Sequence, residues 1–560
     1  MILFLAGLMA VEYAVYFSDA GHFFQGDSLF WLYNRVGSVD EFLRSFFHLN
    51  PGHWYRPLAQ RPIESLLYPI VHLNPVPYRL AGFLLFAVNT VVAFNFLFRL
   101  LKTATGAVIS TVFFSIHSVN AYVTYDLAFY PELLYTLFYV LAATTFLDFL
   151  DTRKNLWRAV SCMCFGLSLL SKESAVTLPV VLVAFEIMSA RPIRGIIGDL
   201  QYHIPILIAY LGYVGLYLKT GAYGVSLHKH IFANYVQGVI WAFDLYSPVK
   251  FSLLAAAAAA GMLLCLRGLV RRDPVVWLGI AWFTIAIGPA LPLYNHFLAY
   301  YLYLPVLGIA LALGRCFEML PSRAFVRAVY CSGFLFVVSV TVANIRNDMA
   351  NNPVLGGSSK LAATFAVDIK RAHPKLAPRT TVFIFNDGAL NLEWDHGGGT
   401  LFKMIYSDPS IQAKYSTYGD SVSWDAVFNN EAIVLKLSDA QVVDLTEQVK
   451  AHPNLLKVGV DASKFEYGAY SNALVLEPKE AQAGKDFVTF ELSGYPETSV
   501  DLLYAINGGP LAIFTTSFDP GSKIQFFIPA FNRKGLYRFS AFRPAGSEKW
   551  IKTEASILVR

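Results

Sequence analysis

Long apolar segments separated by short polar ones dominate the N-terminal part of the chain. Windows of about 15–22 apolar residues are long enough to cross a bilayer as helices. The pattern predicts about eleven spans, near residues 1–17, 79–98, 107–123, 132–148, 158–170, 174–189, 203–218, 251–269, 275–291, 298–314 and 327–345. No basic region and no small-residue cleavage site accompany the first window, which therefore predicts a retained span rather than a removed signal peptide.

One further window, 231–247, contains Asp244 and is interpreted as an interfacial or re-entrant helix. As a true span it would reverse the orientation of everything after it. The basic residues favour the non-spanning interpretation, because Lys and Arg concentrate in short cytoplasmic loops. One set of loops carries Arg99, Lys102, Arg153, Lys154, Arg158, Arg191, Arg194, Arg267, Arg271, Arg272, Arg315, Arg323 and Arg327, and the opposite short loops carry Lys172, Lys219 and Lys229.

This bias predicts which side of the membrane each polar region faces. The loops rich in Arg are expected in the cytoplasm, and the C-terminal region on the outer face. The first outer loop is long and not hydrophilic, and within it residues 28–47 alternate apolar positions with Arg35, Asp40, Glu41 and Arg44. That alternation predicts an amphipathic helix along the interface, which would enclose a site at the bilayer surface.

The composition becomes polar after about residue 346, where a linker of Asn, Pro, Gly and Ser begins. Helical stretches at 358–373 and 398–407 and strands at 380–386 and 432–437 predict a small α/β unit. From 486 onward, short alternating segments separated by Gly, Pro and Asn predict an immunoglobulin-like β-sandwich. The predicted domains are 1–346, 347–484 and 485–560.

Composition supports a membrane protein with a polar part. Of 560 residues, 55% are hydrophobic and 15% charged, against about 25% charged in soluble domains. The net charge of +5 comes without a basic tail or a run of like charges, so nucleic acid is not expected as a partner. All five cysteines precede residue 350, so the tail has no disulfide framework. Cys162 and Cys164 are interpreted as packing thiols rather than metal ligands.

Several charged residues on the predicted outer face could carry chemistry, and each has a plainer structural interpretation. Asp27 could cap a helix, and Arg56, within Tyr55-Arg56-Pro57, could bind lipid headgroups. Asp126 and Glu132 flank a short loop, where Glu132 suits a helix N-terminus.

Other candidates lie at helix junctions and in the tail. Lys172 and Glu173 stand at a predicted junction, and His296 lies on the same side. Charges near a membrane are costly and often functional. In the tail, Asp348 and Asp387 are isolated acids. The segment Glu-Trp-Asp-His-Gly-Gly-Gly-Thr, with Glu393, Asp395 and His396, could form a metal or phosphate loop, although a glycine-rich turn is favoured.

The order of these motifs carries a family resemblance. An acid in the first loop, Tyr-Arg-Pro, an acid before Pro-Glu-Leu-Leu, Ser-Lys-Glu and a late Leu-Tyr-Leu-Pro succeed one another over residues 1–345. This succession resembles the GT-C glycosyltransferases, especially the protein O-mannosyltransferase group and its bacterial relatives. The resemblance implies an α-helical polytopic membrane fold of GT-C type, followed here by the soluble α/β unit and the β-sandwich.

Two positions depart from the family pattern, and the tail lacks the TPR repeats that some relatives carry. Relatives often have Arg where this chain has Tyr130-Pro131, and Arg again where it has Tyr300. These departures reduce the cations expected around a donor phosphate to Arg56, Lys172 and His296.

The resemblance implies transfer of a sugar from a polyprenyl-phosphate donor to an extracytoplasmic hydroxyl of a protein or glycan, with inversion. Asp27 is then the expected catalytic base, and Arg56 and Lys172 would stabilise the departing phosphate. The remaining donor-phosphate or substrate-binding candidates are Tyr55, His296, Asp126, Glu132, Glu173 and Tyr300. Asp126 or Glu132 would hold the sugar or a divalent cation, magnesium or manganese, and whether a metal is needed stays open.

The alternative is a catalytically altered GT-C-like scaffold that binds lipid or partner proteins. A transporter is disfavoured because duplicated halves are not evident in the sequence. The outward-facing parts carry no Asn-x-Ser/Thr acceptor, which favours a bacterial inner membrane with the C-terminal domains in the periplasm.

Overall fold

A computed structural model gives the fold for most of the chain. It describes residues 1–18, 21–47, 55–59, 62–189, 192–217, 229–244, 251–293, 296–351, 356–386, 392–416, 420, 422, 424–438, 441–451, 465–467, 474–482, 487–492, 500–506, 512–518, 523–527, 534–544 and 550–560. Contacts between Cα atoms divide the chain into two compact units. Among the described residues, those within Met1–His22, Asn34–Lys219 and Val225–Gly357 form the first unit, and those within Phe23–Tyr33 and Ser358–Arg560 form the second.

Helices make up the first unit, as its apolar windows predict. The helices up to residue 351 are α1 (Ile2–Glu12), α2 (Gly26–Tyr33, in the second unit), α3 (Val39–Ser45), α4 (Pro62–Val71), α5 (Pro75–Leu101), α6 (Ala104–Ser115), α7 (Asn120–Tyr125), α8 (Tyr130–Thr152), α9 (Asn155–Ser171), α10 (Leu178–Met188), α11 (Ile193–Leu200), α12 (His203–Tyr217), α13 (Lys229–Ala242), α14 (Phe251–Val270), α15 (Pro274–Ile287), α16 (Tyr303–Glu318) and α17 (Ala324–Asn351). Short 3-10 turns cover Leu127–Phe129, Glu173–Thr177, Gly288–Ala290 and Ala299–Leu302, and a π turn covers Tyr13–Phe17.

Local sequence explains where several of these helices begin. The side chain of Asn74 accepts a hydrogen bond from the Val76 N–H, with a proline at the first position of α5. Asp273 does the same for the first two free N–H groups of α15. Such caps satisfy donors that have no partner within the helix.

Close packing of α15 against α16 depends on two glycines. A Cβ atom on Gly279 would lie 2.5 Å from the carbonyl oxygen of Gly308, and one on Gly308 would lie 2.3 Å from the carbonyl oxygen of Gly279. Only glycine permits backbones to approach this closely, as in helix pairs within membranes.

The described helices fit an integral membrane protein, although they do not fix the number of spans. Four stretches are long and apolar enough to cross a membrane: Pro75–Leu101, Leu127–Thr152, Ala299–Glu318 and Ala324–Ala350. A fifth span results if Gly261–Val270 and Pro274–Ala290, which are bent by 118° relative to each other, count as one. The shorter apolar helices are Ile2–Phe17, Ala104–Ser115 and His203–Gly215. The predicted count of about eleven therefore stays a prediction. Helix α13 has 14 residues, about 21 Å, which is short for a span.

Two helix predictions need correction. Residues 28–47 do not form one amphipathic helix: α2 ends at Tyr33, and α3 starts anew where the Ser38 side chain accepts a hydrogen bond from the Glu41 N–H. The predicted span 107–123 is likewise interrupted, because α6 ends at Ser115 and α7 begins at Asn120. A favourable cap and an unwound segment override the apolar pattern at these two places.

The second unit contains a small α/β sheet, as predicted. Its strands are β1 (Thr381–Asn386), β2 (Gln412–Tyr415), β3 (Ala432–Ser438) and β4 (Gln441–Asp444), in the order β2-β1-β3-β4. β1 pairs in parallel with β2 and β3, while β4 is antiparallel to β3. The accompanying helices are α18 (Ser358–Ala372), α19 (Leu392–Asp395), α20 (Thr400–Tyr406), α21 (Trp424–Phe428) and α22 (Thr446–Ala451).

The C-terminal strands form two further sheets. The strands are β5 (Phe465–Tyr467), β6 (Leu474–Glu477), β7 (Glu480–Ala481), β8 (Phe487–Leu492), β9 (Val500–Ile506), β10 (Ala512–Phe518), β11 (Lys523–Phe527), β12 (Gly535–Pro544) and β13 (Trp550–Val559). One sheet runs β10-β9-β12-β13-β5 with β7 on β13, and the other runs β11-β8-β6. Buried Phe490 and Phe539 join the two sheets with ring centroids 4.8 Å apart.

These sheets bear on the predicted domain limits. Strands β5 to β7 precede residue 485, yet they pair with strands that follow it. Residues Phe23–Tyr33, from the first predicted domain, belong to the second compact unit. The limits 1–346, 347–484 and 485–560 stay predictions.

Candidate functional site

Arg56 and Glu173 form a two-point ion pair in the first unit. Arg56 Nε lies 2.8 Å from Glu173 Oε2, and Arg56 Nη2 lies 2.6 Å from Glu173 Oε1. The loop that carries Arg56 is fixed to the end of α9, because the Leu58 N–H donates to the Leu170 carbonyl oxygen at 3.2 Å. A planar guanidinium facing a carboxylate in this way makes strong, directional hydrogen bonds.

The ion pair keeps both groups charged although each is partly buried. Burial raises the pKa of Glu173, but the charge and hydrogen bonds of Arg56 outweigh it, so the net pKa is lowered. Burial lowers the pKa of Arg56, and the Glu173 carboxylate more than compensates, so the net pKa is raised. The pair is therefore ionic throughout the physiological pH range.

A second ion pair lies one residue away. Lys172 follows the last residue of α9, and its ammonium donates to Glu132 Oε1 in the first turn of α8. The side chains are only 2% and 3% exposed. Burial, followed by the charge of Arg56, lowers the pKa of Lys172 well below its ordinary value. Glu132 Oε2 is buried and has no hydrogen-bond partner among the described residues.

Aromatic rings and a histidine surround the Lys172 ammonium. Its Nζ lies 4.6 Å from the ring centroid of Tyr301, 5.3 Å from that of Tyr300 and 5.6 Å from that of Tyr135. These distances are within the range of cation–π attraction. His296 Nε2 lies 2.9 Å from the Tyr300 hydroxyl. Burial, together with the charges of Lys172 and Arg56, lowers the pKa of His296 to about 4, so His296 is neutral at pH 7.

The first unit thus brings together six of the nine residues for which the family resemblance implies a catalytic or substrate-binding role. They are Arg56, Glu132, Lys172, Glu173, His296 and Tyr300. Partly buried Arg56 and buried Lys172 are each held by a carboxylate and flanked by tyrosines and a neutral histidine. Each can exchange its carboxylate for a phosphate. Phosphate suits both the arginine fork and the lysine point charge. We call these six residues the cation cluster.

Tyr55 and Asp126 have structural contacts of their own. The Tyr55 ring packs on Tyr210 and Tyr213, with centroids 6.2 and 5.1 Å apart, and its hydroxyl donates to the Phe46 carbonyl oxygen at 3.0 Å. Burial raises the pKa of Tyr55 to about 12. Asp126 accepts a hydrogen bond from the Ala128 N–H at 2.8 Å. Their predicted roles in substrate binding stay predictions.

Asp27 lies in the first turn of α2 and belongs to the second compact unit. Its side chain is exposed. An acid in the first turn of a helix is favoured by the helix dipole, which was the plainer interpretation of this residue. Its role as the catalytic base stays a prediction.

The glycine-rich segment of the tail forms a turn. Glu393 and Asp395 lie on α19, and buried His396 has its Nδ1 3.1 Å from the Tyr415 hydroxyl. Gly397, Gly398 and Gly399 follow with φ of +60°, +66° and +84°. Three successive residues with positive φ require glycine, which accounts for the motif without a ligand. Asp387 lies outside the described residues, and Asp348 lies on α17.

The described contacts leave few carboxylate oxygens of the cation cluster available to bind the predicted divalent cation. Glu132 and Glu173 each accept hydrogen bonds from a cation, and Asp126 caps a turn. In the part of the chain that the structure describes, no three or more His, Cys, Asp or Glu side chains group as metal ligands. The divalent cation therefore stays a prediction, and no step is derived through one.

The sequence patterns missed other buried residues near these elements. Arg79 is buried at the start of α5 and donates to the carbonyl oxygens of His22 and Tyr125. Glu64 on α4 is 1% exposed, and burial raises its pKa to about 7. An Arg at the edge of an apolar window was the available signal for Arg79. Glu64 is at helical spacing from Arg61, which lies outside the described residues, and nothing in the sequence indicated that its carboxyl would be buried.

Comparison with known proteins gives similarity of fold. No family model matches the sequence, and no curated protein matches it. Among the solved structures that match is ArnT from Cupriavidus metallidurans bound to undecaprenyl phosphate, at 12% identity and a TM-score of 0.47. The apo state of the same protein matches at 13% identity and a TM-score of 0.44, and each match covers 80% of this chain and 94% of the other. Similarity at this level carries no inference about family or activity.

Proposed function

We propose that this chain is a membrane glycosyltransferase that transfers a sugar from a polyprenyl-phosphate donor to an acceptor hydroxyl, with inversion at the anomeric carbon. The cation cluster is the observation that carries the proposal. Partly buried Arg56 and buried Lys172 lie close enough for their charges to interact, with neutral His296 beside them. A lipid-linked phosphate needs such a site, because its charge must be balanced close to the bilayer.

The reaction is a single displacement. The acceptor oxygen attacks the anomeric carbon as the bond from that carbon to the phosphate oxygen breaks. Asp27 takes the acceptor proton, and the lipid phosphate leaves with the bonding electrons. The transition state has oxocarbenium character, and negative charge grows on the phosphate, where Arg56 and Lys172 stabilise it.

Binding of the donor exchanges partners within the cation cluster. The phosphate takes hydrogen bonds that Glu173 and Glu132 accept when no donor is bound. The carboxylates keep the two cations apart from bulk water and oriented, so little reorganisation is needed at the moment of reaction. His296 contributes hydrogen bonding rather than charge, since its pKa of about 4 leaves it neutral.

The donor's lipid tail lies along the apolar helices, and the acceptor is an extracytoplasmic protein or glycan. The bacterial inner membrane, with the C-terminal strands in the periplasm, is the compartment that fits the basic loops and the absence of Asn-x-Ser/Thr acceptors.

A catalytically altered scaffold is the second candidate, and the internal ion pairs favour it. Each cation already has a carboxylate partner, and tyrosine stands where relatives carry arginine. A cluster that is neutral overall binds a phosphate less strongly than one with spare positive charge.

Binding and turnover measured together distinguish the candidates. The full chain in detergent is offered a panel of polyprenyl-phosphate sugars, and undecaprenyl phosphate alone as a probe of the phosphate site. Binding that Arg56→Gln weakens, together with sugar transfer to an acceptor, supports the enzyme. Exposed Arg44→Gln is the matched control. Binding without transfer to any acceptor supports the scaffold, and absence of binding refutes both the enzyme and a lipid-binding scaffold.

A further inference from the structure

A cavity of about 430 Å³ opens beside the first turns of α9. Asn155, Arg158, Ala159 and Cys162 line it from α9, and Tyr202 lines it from the residue before α12. Lys172 follows the other end of α9, and a helix of 17 residues is about 25 Å long. The cavity is therefore separate from the cation cluster and does not belong to the proposed transfer site.

Arg158 brings positive charge to this cavity, and its described partners are neutral. Its Nη2 lies 2.9 Å from Asn155 Oδ1, and its Nη1 lies 3.4 Å from the Gly198 carbonyl oxygen. Its guanidinium lies 4.6 Å from the ring centroid of Tyr202 and 5.1 Å from that of Phe149.

Arg153, a neighbouring arginine, has a carboxylate partner. Arg153 Nη1 lies 2.5 Å from Asp199 Oδ2, so its charge is balanced by a carboxylate. Among the described residues, no carboxylate forms an ion pair with Arg158. A cation that stacks on rings and bonds only to neutral oxygens keeps its charge available for an anion.

Apolar surface continues from the cavity along the same two helices. Leu156 and Met163 on α9 are 66% and 60% exposed, and Ile204 and Ile208 on α12 are 39% and 63% exposed. These residues flank or lie within the predicted spans 158–170 and 203–218, so their exposed faces meet acyl chains. Tyr202, 54% exposed, stands at the predicted interface, where aromatic residues concentrate.

We propose that this cavity binds the phosphate headgroup of an anionic phospholipid, with the acyl chains along α9 and α12. The arginine fork meets phosphate oxygens, the Asn155 amide and Tyr202 hydroxyl supply further hydrogen bonds, and the exposed apolar side chains cover the tails. The distribution of basic residues places this end of α9 on the cytoplasmic side, where basic pockets between helices bind lipid headgroups.

Native mass spectrometry of the full chain tests the proposal. The purified protein is titrated with phosphatidylglycerol, with phosphatidylcholine and with inorganic phosphate. Wild type should retain phosphatidylglycerol in preference to phosphatidylcholine. Arg158→Gln should weaken that binding at least about tenfold, the effect of removing a charge-assisted hydrogen bond. Arg194→Gln removes the same charge from an exposed position on α11 outside the cavity and should bind as wild type does.

A second variant keeps the test independent of Arg158 and its contacts. Ala159→Leu leaves every charge in place and fills part of the cavity, so it should also weaken phosphatidylglycerol binding. Unchanged binding in Ala159→Leu or in Arg158→Gln would overturn the proposal, as would an equal loss in Arg194→Gln. Equal binding of phosphatidylcholine would remove the anionic preference, and displacement of the lipid by inorganic phosphate at similar concentration would identify a soluble anion as the ligand instead.

Discussion

Arg56 and Glu173, separated by 117 residues in the sequence, hold each other through two parallel hydrogen bonds. The pair fixes the Tyr-Arg-Pro loop to the junction between α9 and the 3-10 turn at Glu173–Thr177. The same junction carries Lys172. The positions of both cations of the cluster therefore depend on one short stretch of chain and its partners.

Arg56→Lys should lower sugar transfer by about tenfold to a hundredfold. An ammonium cannot bond two oxygens of the donor phosphate in the planar manner of a guanidinium, and it loses one charge-assisted hydrogen bond of about 1.5–3 kcal/mol. Initial rates with a polyprenyl-phosphate sugar measure the effect. The control is Arg44→Lys, because Arg44 forms an ion pair with Asp40 in which the side chains are 67% and 70% exposed. This variant should leave the rate unchanged. Equal effects of the two variants would remove the two-point geometry from the mechanism.

Glu132→Gln should destabilise the protein by about 3 kcal/mol, because the buried Lys172 side chain loses its carboxylate and must either stay charged without a partner or give up its proton. The double variant Glu132→Gln with Lys172→Met should recover much of the loss, since no buried charge remains. Thermal unfolding in detergent measures both. Asp40→Asn removes a carboxylate from an exposed pair and should cost less than about 1 kcal/mol. If the double variant is as unstable as the sum of the two single variants, the two residues do not act as a pair.

The apolar windows predicted most helices of the first unit, because a segment buried in lipid or protein must satisfy its backbone by forming a helix. The pattern failed where a local feature outweighs it. Ser38 starts a new helix inside 28–47, and the chain unwinds between Ser115 and Asn120. The strands of the tail were recognisable by a different signal, the alternation of apolar and polar side chains with a period of two.

The pairing of charged residues could not be read from the sequence. Lys172 lies next to Glu173 in the chain but pairs with Glu132, while Glu173 pairs with Arg56. The residues that meet are decided by helix packing, which joins α8 to the end of α9. Glu64 shows the same limit, because nothing in its local sequence indicated that this carboxyl is buried.

His296 and Glu64 should give opposite contributions to the pH dependence of stability. The pKa of His296 is lowered from 6.5 to about 4 by burial and neighbouring cations, so between these values the unfolded state binds more protons. Stability from this residue therefore rises with pH through that window. The pKa of Glu64 is raised from 4.5 to about 7 by burial, so the folded state binds more protons there, and stability falls as pH rises.

Single variants separate the two contributions. Relative to wild type, Glu64→Gln should gain stability as pH rises from 4.5 to 7, by up to about 3 kcal/mol. The stability of His296→Gln relative to wild type should instead fall as pH rises from 4 to 6.5. Unfolding midpoints across this range measure both. If the stability differences of the two variants from wild type changed with pH in the same direction, or if neither changed, the burial of these groups would be contradicted.

The glycine turn of the second unit should tolerate substitution unequally. Gly398→Ala meets no atom within 4 Å, so it should cost only the strain of a positive φ, about 1–2 kcal/mol. Gly399→Ala adds a contact of 2.7 Å with the Ala413 Cβ to the same strain and should cost more. Gly166→Ala, at an open helical position, is the control and should be neutral or stabilising. A ranking with Gly398→Ala as the worst variant would mean that the turn has a different geometry.

Asp27→Asn should reduce sugar transfer by at least about a hundredfold, the typical contribution of a general base. The substitution keeps the size of the side chain and removes its ability to accept a proton. Because the side chain is exposed, the change should cost about 1 kcal/mol or less in stability. Donor binding should persist, since the phosphate is held by Arg56 and Lys172 rather than by the base. Transfer rates, unfolding midpoints and donor binding are therefore measured on the same preparation, beside Asp40→Asn as the control acid. Full transfer by Asp27→Asn would show that another group takes the proton, whereas loss of donor binding together with transfer would show that Asp27 helps to hold the substrate.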